Sequence, residues 1–379
     1  MTSTPAKPLR ILHAVRAPVG GIIRHILDLA NGQVDEGHIV GIVADSLTGG
    51  PRADAAFAEI APRLALGVHR ISIHREPHPL DVLSYVKLAR LVARLRPDVL
   101  HGHGAKAGAF VRARSASKGA IRVYTPHGGS LHYPLSTAKG RFYARLERAL
   151  MNRTELFLFE SDFARRTYQR TVGIPKGIVR RVFNGVTARE FDPLVTEDDA
   201  TNVVYVGEFR HIKGADILIE AIVRLRAAGR QITLTLAGDG EESATLHALC
   251  DRFSLGAAVR FVGHLPARVG FTKGRLLVVP SRGDSMPYVV IEAAAAGIPM
   301  LATRVGGIPE IFGAEHPNLV PPDSVSALAE AIGAAIDGPA VMLERAKALR
   351  EHVFQHFSQK AMVDGILAAY GDALAEQVL

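Results

Sequence analysis

The feature that most constrains this chain is an alternation that runs along it twice. Short apolar runs are each followed by a glycine-bearing loop and then a stretch with helical spacing, and the pattern restarts near the middle. In the first half, Arg10–Val15 (RILHAV) reads as a strand and Gly20–Gly21 as a breaker. Ile22–Gln33 then reads as a helix with apolar residues at Ile22, Ile26 and Leu29. Strand Ile39–Ala44 and helix Tyr85–Arg96, stopped by Pro97, come next. Strands Val99–His101, Ile121–Thr125 and Leu156–Phe159 follow, the last leading into helix Ser161–Gln169. The second half runs through the same alternation, with strand Asn202–Val206, loop Gly207–Gly214, helix Ala215–Ala228, strand Ile232–Ala237 and helix Glu242–Phe253. Val259–Val262, Leu276–Val279 and Met300–Thr303 are further strands, and Pro287–Ala296 is a helix closed by Gly297. Strands so short and so uniformly apolar, separated by helices, imply parallel sheets covered on both faces. Two such cycles in 379 residues predict two α/β domains. The Pro- and acid-rich stretch Phe191–Ala200 supplies the seam, giving domains 1–192 and 193–359, the first completed by a C-terminal helix 360–379.

Charge divides along the same line. Residues 1–190 hold 29 Lys and Arg against 14 Asp and Glu, and the remainder 16 against 23, so a basic half precedes an acidic one. A basic half suits an anionic partner, and nucleic acid is the weakest choice because Trp is absent and the bases are not interleaved with stacking rings. Lys139–Arg153 places Phe142, Leu146, Ala149 and Leu150 beside Arg141, Arg145, Arg148 and Arg153 at helical spacing, and Tyr85–Arg96 shows a similar mixture. Such a helix docks on anionic lipid or packs on its own core with Arg stems at the rim. A single cysteine, Cys250, excludes a disulfide framework and fits a cytoplasmic setting, and Met1–Arg10 lacks the apolar core of a signal peptide.

The richest segment is Ser281–Gly297. A strand delivers the chain to the carboxyl edge of a sheet, where α/β proteins bind ligands. There Ser285 is placed to cap the next helix and Pro287 to occupy its first turn. Asp284 and Glu292 are acceptor-only groups suited to sugar or ribose hydroxyls. Met286 lies between them. Four more strand ends carry glycine, acid or base: Gly207–Gly214 with Arg210 and Lys213, Gly238-Asp-Gly240, Gly263-His264, and Arg304–Gly307. In the first half His127 closes a strand between Pro126 and Gly128-Gly129, and His101-Gly-His103 puts two imidazoles on one face of a strand. A third metal ligand is not apparent there and no Asp-x-Asp motif occurs, so no metal is expected.

With these residues in view, the sequence resembles family 4 of the retaining glycosyltransferases, strongest from Val203 to Ile311. The family's Glu-x7-Glu appears as Asp284-x7-Glu292, followed by Glu-Ala-x-Ala-Ala-Gly (Glu292–Gly297) and Gly-Gly-x-Pro-Glu (Gly306–Glu310). The resemblance implies the GT-B fold, two Rossmann-like domains with parallel sheets facing across a cleft, and a nucleotide-sugar donor (a UDP- or GDP-sugar) with no other cofactor. By resemblance Glu292 binds the donor ribose, Asp284 the transferred sugar and Lys213 the phosphates. Gly20-Gly21 approaches the phosphates from the other domain, and His127 lies beside the donor sugar. Gly238, Gly263, His264, Ser285 and Met286 would complete the donor site. Three departures stand out: Asp284 is one methylene short, Glu208 replaces the phosphate arginine, leaving Arg210 to substitute, and Pro287 removes a backbone N–H. The function so implied is metal-independent hexosyl transfer to a lipid-linked or polysaccharide acceptor of cell-surface glycan synthesis, at the cytoplasmic membrane face. The alternatives are a non-catalytic nucleotide-sugar-binding scaffold or a sugar-nucleotide epimerase of the same fold.

Overall fold

The computed structural model describes residues 7–113, 119–128 and 133–377. These form two compact units, one from residues up to Gly185 together with Gln359 onward, the other Val186–Ser358. The division falls seven residues before the expected seam, just after the last strand of the first sheet.

The first unit is built on seven parallel strands, β1 (Arg10–Val15), β2 (Ile39–Asp45), β3 (Gly67–Ile71), β4 (Val99–His103), β5 (Ile121–Thr125), β6 (Leu156–Phe159) and β7 (Ile178–Arg181). Their spatial order is β3-β2-β1-β4-β5-β6-β7, so the chain starts at the middle, winds outward, then returns past β1 to wind the other way. Reversal leaves β1 and β4 adjacent, with His13 level with His101 and Val15 with His103. Each face of the sheet has its own core. Ile11, Val40, Ile42, Val123 and Leu158 pack with Ile26 and Leu29 of helix Gly20–Asp35 and with Met362, Ile366 and Tyr370 of helix Gln359–Glu376. Leu12, Val43 and Leu100 pack on the other face with Leu88 and Val92 of helix Asp81–Leu95 and Val111 of helix Ala105–Ala113. Helix Asp162–Thr171 starts where its sequence predicts, with the Ser161 hydroxyl accepting from the Ala164 N–H.

The second unit has six parallel strands, β8 (Thr201–Val206), β9 (Leu234–Ala237), β10 (Val259–Gly263), β11 (Gly274–Val279), β12 (Met300–Thr303) and β13 (Leu319–Val320), in the order β10-β9-β8-β11-β12-β13. Again the winding reverses beside the first strand, between β8 and β11. Leu234, Leu236, Leu276 and Val278 meet Leu218 and Ile222 of helix Ala215–Ala227 and Leu328 and Ile332 of helix Val325–Asp337 in one continuous core. The loops that leave β8 and β11 are therefore neighbours at the carboxyl edge, and both carry the expected site residues.

Candidate donor-binding site

Between β8 and helix Ala215–Ala227 the chain makes one 3-10 turn, His211–Lys213, and its last residue projects to the neighbouring loop. There the Lys213 ammonium donates to Asp284 Oδ2 at 2.7 Å, and the Ser281 hydroxyl donates to the same oxygen at 3.1 Å. Both charged partners are partly exposed, at 25% for Lys213 and 15% for Asp284. The loop itself is held from both sides. Arg282 donates to both carboxylate oxygens of Asp216 at 2.8 and 2.6 Å, to Asp323 and to the His211 carbonyl, while the Thr303 hydroxyl donates to the Ser281 carbonyl. Gly307 N–H donates to the Asp284 carbonyl at 3.1 Å. Gly306 is obligatory beneath it: its φ is +58°, and a Cβ there would stand 1.4 Å from that carbonyl oxygen. Arg282 is not among the residues singled out from sequence, although it stands inside the same Ser281–Gly297 block.

Glu292 lies on helix Tyr288–Ala295 and is 9% exposed, a buried carboxylate about one turn beyond the loop. The start of this helix differs from expectation. Pro287 is the residue before the first turn, with extended ψ of 125°, and no side chain caps the helix, so Ser285 does not serve as its cap. Met286 and Pro287 are buried, which fixes the helix entry by packing instead. The expected turn Gly306–Glu310 runs into a short helix, Ile308–Phe312.

The remaining loops divide. Gly238 and Gly240 are explained by backbone approach within the unit, since a Cβ on Gly238 would meet the Gly207 carbonyl at 1.9 Å and one on Gly240 the Phe209 carbonyl at 2.4 Å. Phe209 N–H donates to the Asp239 carbonyl, closing the β8 and β9 loops on each other. Gly263 and His264 end β10 and are exposed. Arg210 stands 3.7 Å from Glu208 and 3.9 Å from Glu241, so the cation expected to replace the family arginine is flanked by two carboxylates. In the first unit Gly20 and Gly21 open helix Gly20–Asp35, whose N-terminus has no side-chain cap.

His127 follows β5 with φ of +50°, a left-handed conformation that costs a residue with a Cβ and marks a place where the chain is held against its preference. Gly129 of the same motif lies outside the described residues. Around His127 the fold assembles a buried group of imidazoles: His101 and His103 from β4, which the sequence already places on one face, are joined by His13 from β1 and His25 from helix Gly20–Asp35, which it did not announce. A histidine at the centre of the apolar run RILHAV was the one available signal. His13 bonds His103 at 3.0 Å and Gln33 Oε1 at 2.8 Å, His103 bonds His127 at 3.0 Å, and His25 bonds Asn184 at 3.0 Å. His101 bonds Tyr370 at 2.7 Å and Thr125 at 2.8 Å. Burial disfavours the charged form of all five rings, lowering His13 and His25 to about 4 and the other three well below their ordinary value. The third ligand that seemed to be missing is present, since His13, His101 and His103, or His25, His103 and His127, stand close enough for one cation. In the first of these groups, however, every ring nitrogen already has a hydrogen-bond partner.

Two Rossmann-like units of this order, with a lysine, an aspartate and a buried glutamate gathered at one sheet edge, define a GT-B glycosyltransferase. Residues 19–190 match the family model described as Glycosyltransferase Family 4, and residues 200–337 that described as Glycosyl transferases group 1. The chain is thus a member of the group 1, family 4 glycosyltransferases. It is 26% identical to the glycogen synthase of Mycobacterium tuberculosis over 93% of this chain and 91% of that one. With the putative teichuronic acid biosynthesis glycosyltransferase TuaC of Bacillus subtilis it shares 32% identity over 63% of this chain and 61% of the relative. Among solved structures, HepE of Anabaena in complex with UDP-glucose matches with a TM-score of 0.79 and 19% identity, covering 96% of this chain and all of that one, a likeness of fold alone.

Proposed function

We propose that this glycosyltransferase is a retaining, metal-independent hexosyltransferase that takes its sugar from a UDP- or GDP-sugar. The observation that carries the reading is the Lys213–Asp284 contact of 2.7 Å, with Glu292 buried in the helix that follows the Asp284 loop. A partly exposed ion pair contributes little to stability, about 0–1 kcal/mol, so Lys213 can leave Asp284 for a diphosphate at small cost. Asp284 is then released to accept hydroxyl groups of the sugar, and Glu292 accepts those of the ribose. His127 supports the sugar, and the lysine stabilises negative charge on the departing diphosphate, which in a front-face reaction takes the proton of the incoming hydroxyl. The liganded HepE and the glycan-building relatives support a nucleotide-sugar donor and a glycan product.

For the acceptor we propose a lipid-linked or growing polysaccharide at the cytoplasmic membrane face. Helix Ala138–Met151 buries Ala144 and Leu150 but leaves Phe142 and Leu146 exposed at 51% and 39%, beside the exposed Arg141 and Arg145. An exposed apolar pair among arginines suits shallow insertion among anionic headgroups. Helix Asp81–Leu95 turns Leu88, Leu91 and Val92 into the core and leaves Val82 and Leu83 of its first turn exposed. Among the described residues no single helix is long and apolar enough to cross a membrane.

A panel of nucleotide sugars screened by thermal shift tests the donor, since the preferred one raises the unfolding midpoint by mass action. Nucleotide release or transfer by the pure protein separates an enzyme from a scaffold. If no nucleotide sugar or nucleotide diphosphate shifts the midpoint, the reading fails. Co-sedimentation with phosphatidylglycerol vesicles at low salt, lost in Phe142→Ser/Leu146→Ser, tests the membrane face.

A further inference from the structure

The imidazole group has more order than a set of lining residues needs. A neutral imidazole carries one donor and one acceptor, so a chain of them has a direction, and the group at its head sets it. Here the head is Gln33, fully buried, with Oε1 facing His13 Nε2 at 2.8 Å. A carbonyl oxygen only accepts, so His13 holds its proton on Nε2. Its Nδ1 is then an acceptor, and His103 Nε2–H must donate to it at 3.0 Å. His103 Nδ1 is in turn an acceptor for His127 Nε2–H at 3.0 Å. At the end of the chain His127 is left with its lone pair on Nδ1.

We propose that Gln33, His13 and His103 are positioning residues that fix the tautomer of His127 and present its Nδ1 as an acceptor for a hydroxyl of the transferred sugar. The proposal rests on the reading above in which His127 meets that sugar. Two further observations support it. The left-handed backbone at His127 and the His25 ring edge-on at 4.8 Å hold the terminal imidazole in place. Burial of the rings keeps them uncharged, and an uncharged ring is the only form in which a chain of imidazoles transmits a direction. The parallel register that sets β1 against β4 is what makes the chain possible, because it brings His13 beside residues ninety positions later.

The test joins spectroscopy to kinetics on the full chain. Long-range nitrogen–proton correlation spectra of protein labelled at histidine, assigned with His13→Leu, His103→Leu and His127→Ala, should show His13, His103 and His127 neutral with the proton on Nε2. Gln33→Met removes the head of the chain, and should mix the His127 tautomers and lower kcat by about tenfold or more with little change in the donor KM. A His127 proton on Nδ1 in the unaltered protein overturns the proposal, as does a stoichiometric metal ion bound by these rings in the purified protein. So does a Gln33→Met variant that folds with altered tautomers and an unaltered kcat. Should Gln33→Met not fold, the spectra of the unaltered protein decide alone. Failure of the function reading looks different: the tautomers stand as described while no nucleotide sugar is turned over.

Discussion

At the scale of single residues, the free site holds its own counterion. Lys213 spends the unliganded state on Asp284, and a nucleotide diphosphate must compete with that carboxylate. Lys213→Ala should therefore weaken UDP or GDP binding by about 1.5–3 kcal/mol, the range for a charge-assisted hydrogen bond. Its effect on unfolding of the unliganded protein should stay under about 1 kcal/mol. Calorimetric titration beside a denaturant melt checks both, and equal losses in the two would assign Lys213 a structural role. Asp284→Asn should separate binding from chemistry: nucleotide diphosphate affinity is retained or raised while sugar transfer falls. These residues were legible because one local motif contains the aspartate and the glutamate, and a glycine-bearing loop the lysine. His13, His25 and Gln33 were not, because nothing in the sequence says that β1 and β4 lie side by side.

At the scale of elements, most strands that the apolar runs reveal are buried on both faces, with the largely exposed edge strand β10 the exception. β3 and β7 escape notice because edge strands need no apolar run: all five residues of GVHRI are only half-buried, and IVRR ends on two exposed arginines. The two residues of β13 are too few to carry any pattern. The cap expected from Ser285 is missing at Tyr288 because packing of Met286 and Pro287 replaces the hydroxyl. Glycine substitutions take opposite signs in a strained loop and in an open helix. Gly306→Ala drives a methyl group into the Asp284 carbonyl, so it should cost at least about 1–3 kcal/mol and abolish donor binding as the loop shifts. Gly371→Ala, in helix Gln359–Glu376 with open space around it, should instead stabilise by about 0.5–1 kcal/mol. Thermal melts of the pair would expose a misplaced loop if both moved the same way.

At the scale of the whole molecule, acid should act first on the unit that contains the imidazoles. With the folded values of His13 and His25 near 4 against an ordinary 6.5, the unfolded chain binds protons that the folded one refuses between those limits. Stability is thus complete above pH 6.5 and falls as pH drops toward 4, by up to about 1.4 kcal/mol per unit for each of the two rings. The other three rings push in the same direction. Guanidinium unfolding at pH 7 and pH 5.5 should show a lower midpoint in the more acidic buffer, and an unchanged midpoint would mean that the rings are solvated.

Helix Gln359–Glu376 gives the molecule an order of assembly. Its Met362, Ile366 and Tyr370 belong to the core of the first unit, whose other residues end at Gly185. During synthesis the second unit, an unbroken segment, has all its strands before that helix is made, whereas the first waits with one face of its sheet open. The nascent first unit is therefore the species that a chaperone would hold, and a released chain truncated after residue 358 should display a protease-sensitive first unit beside a resistant second one.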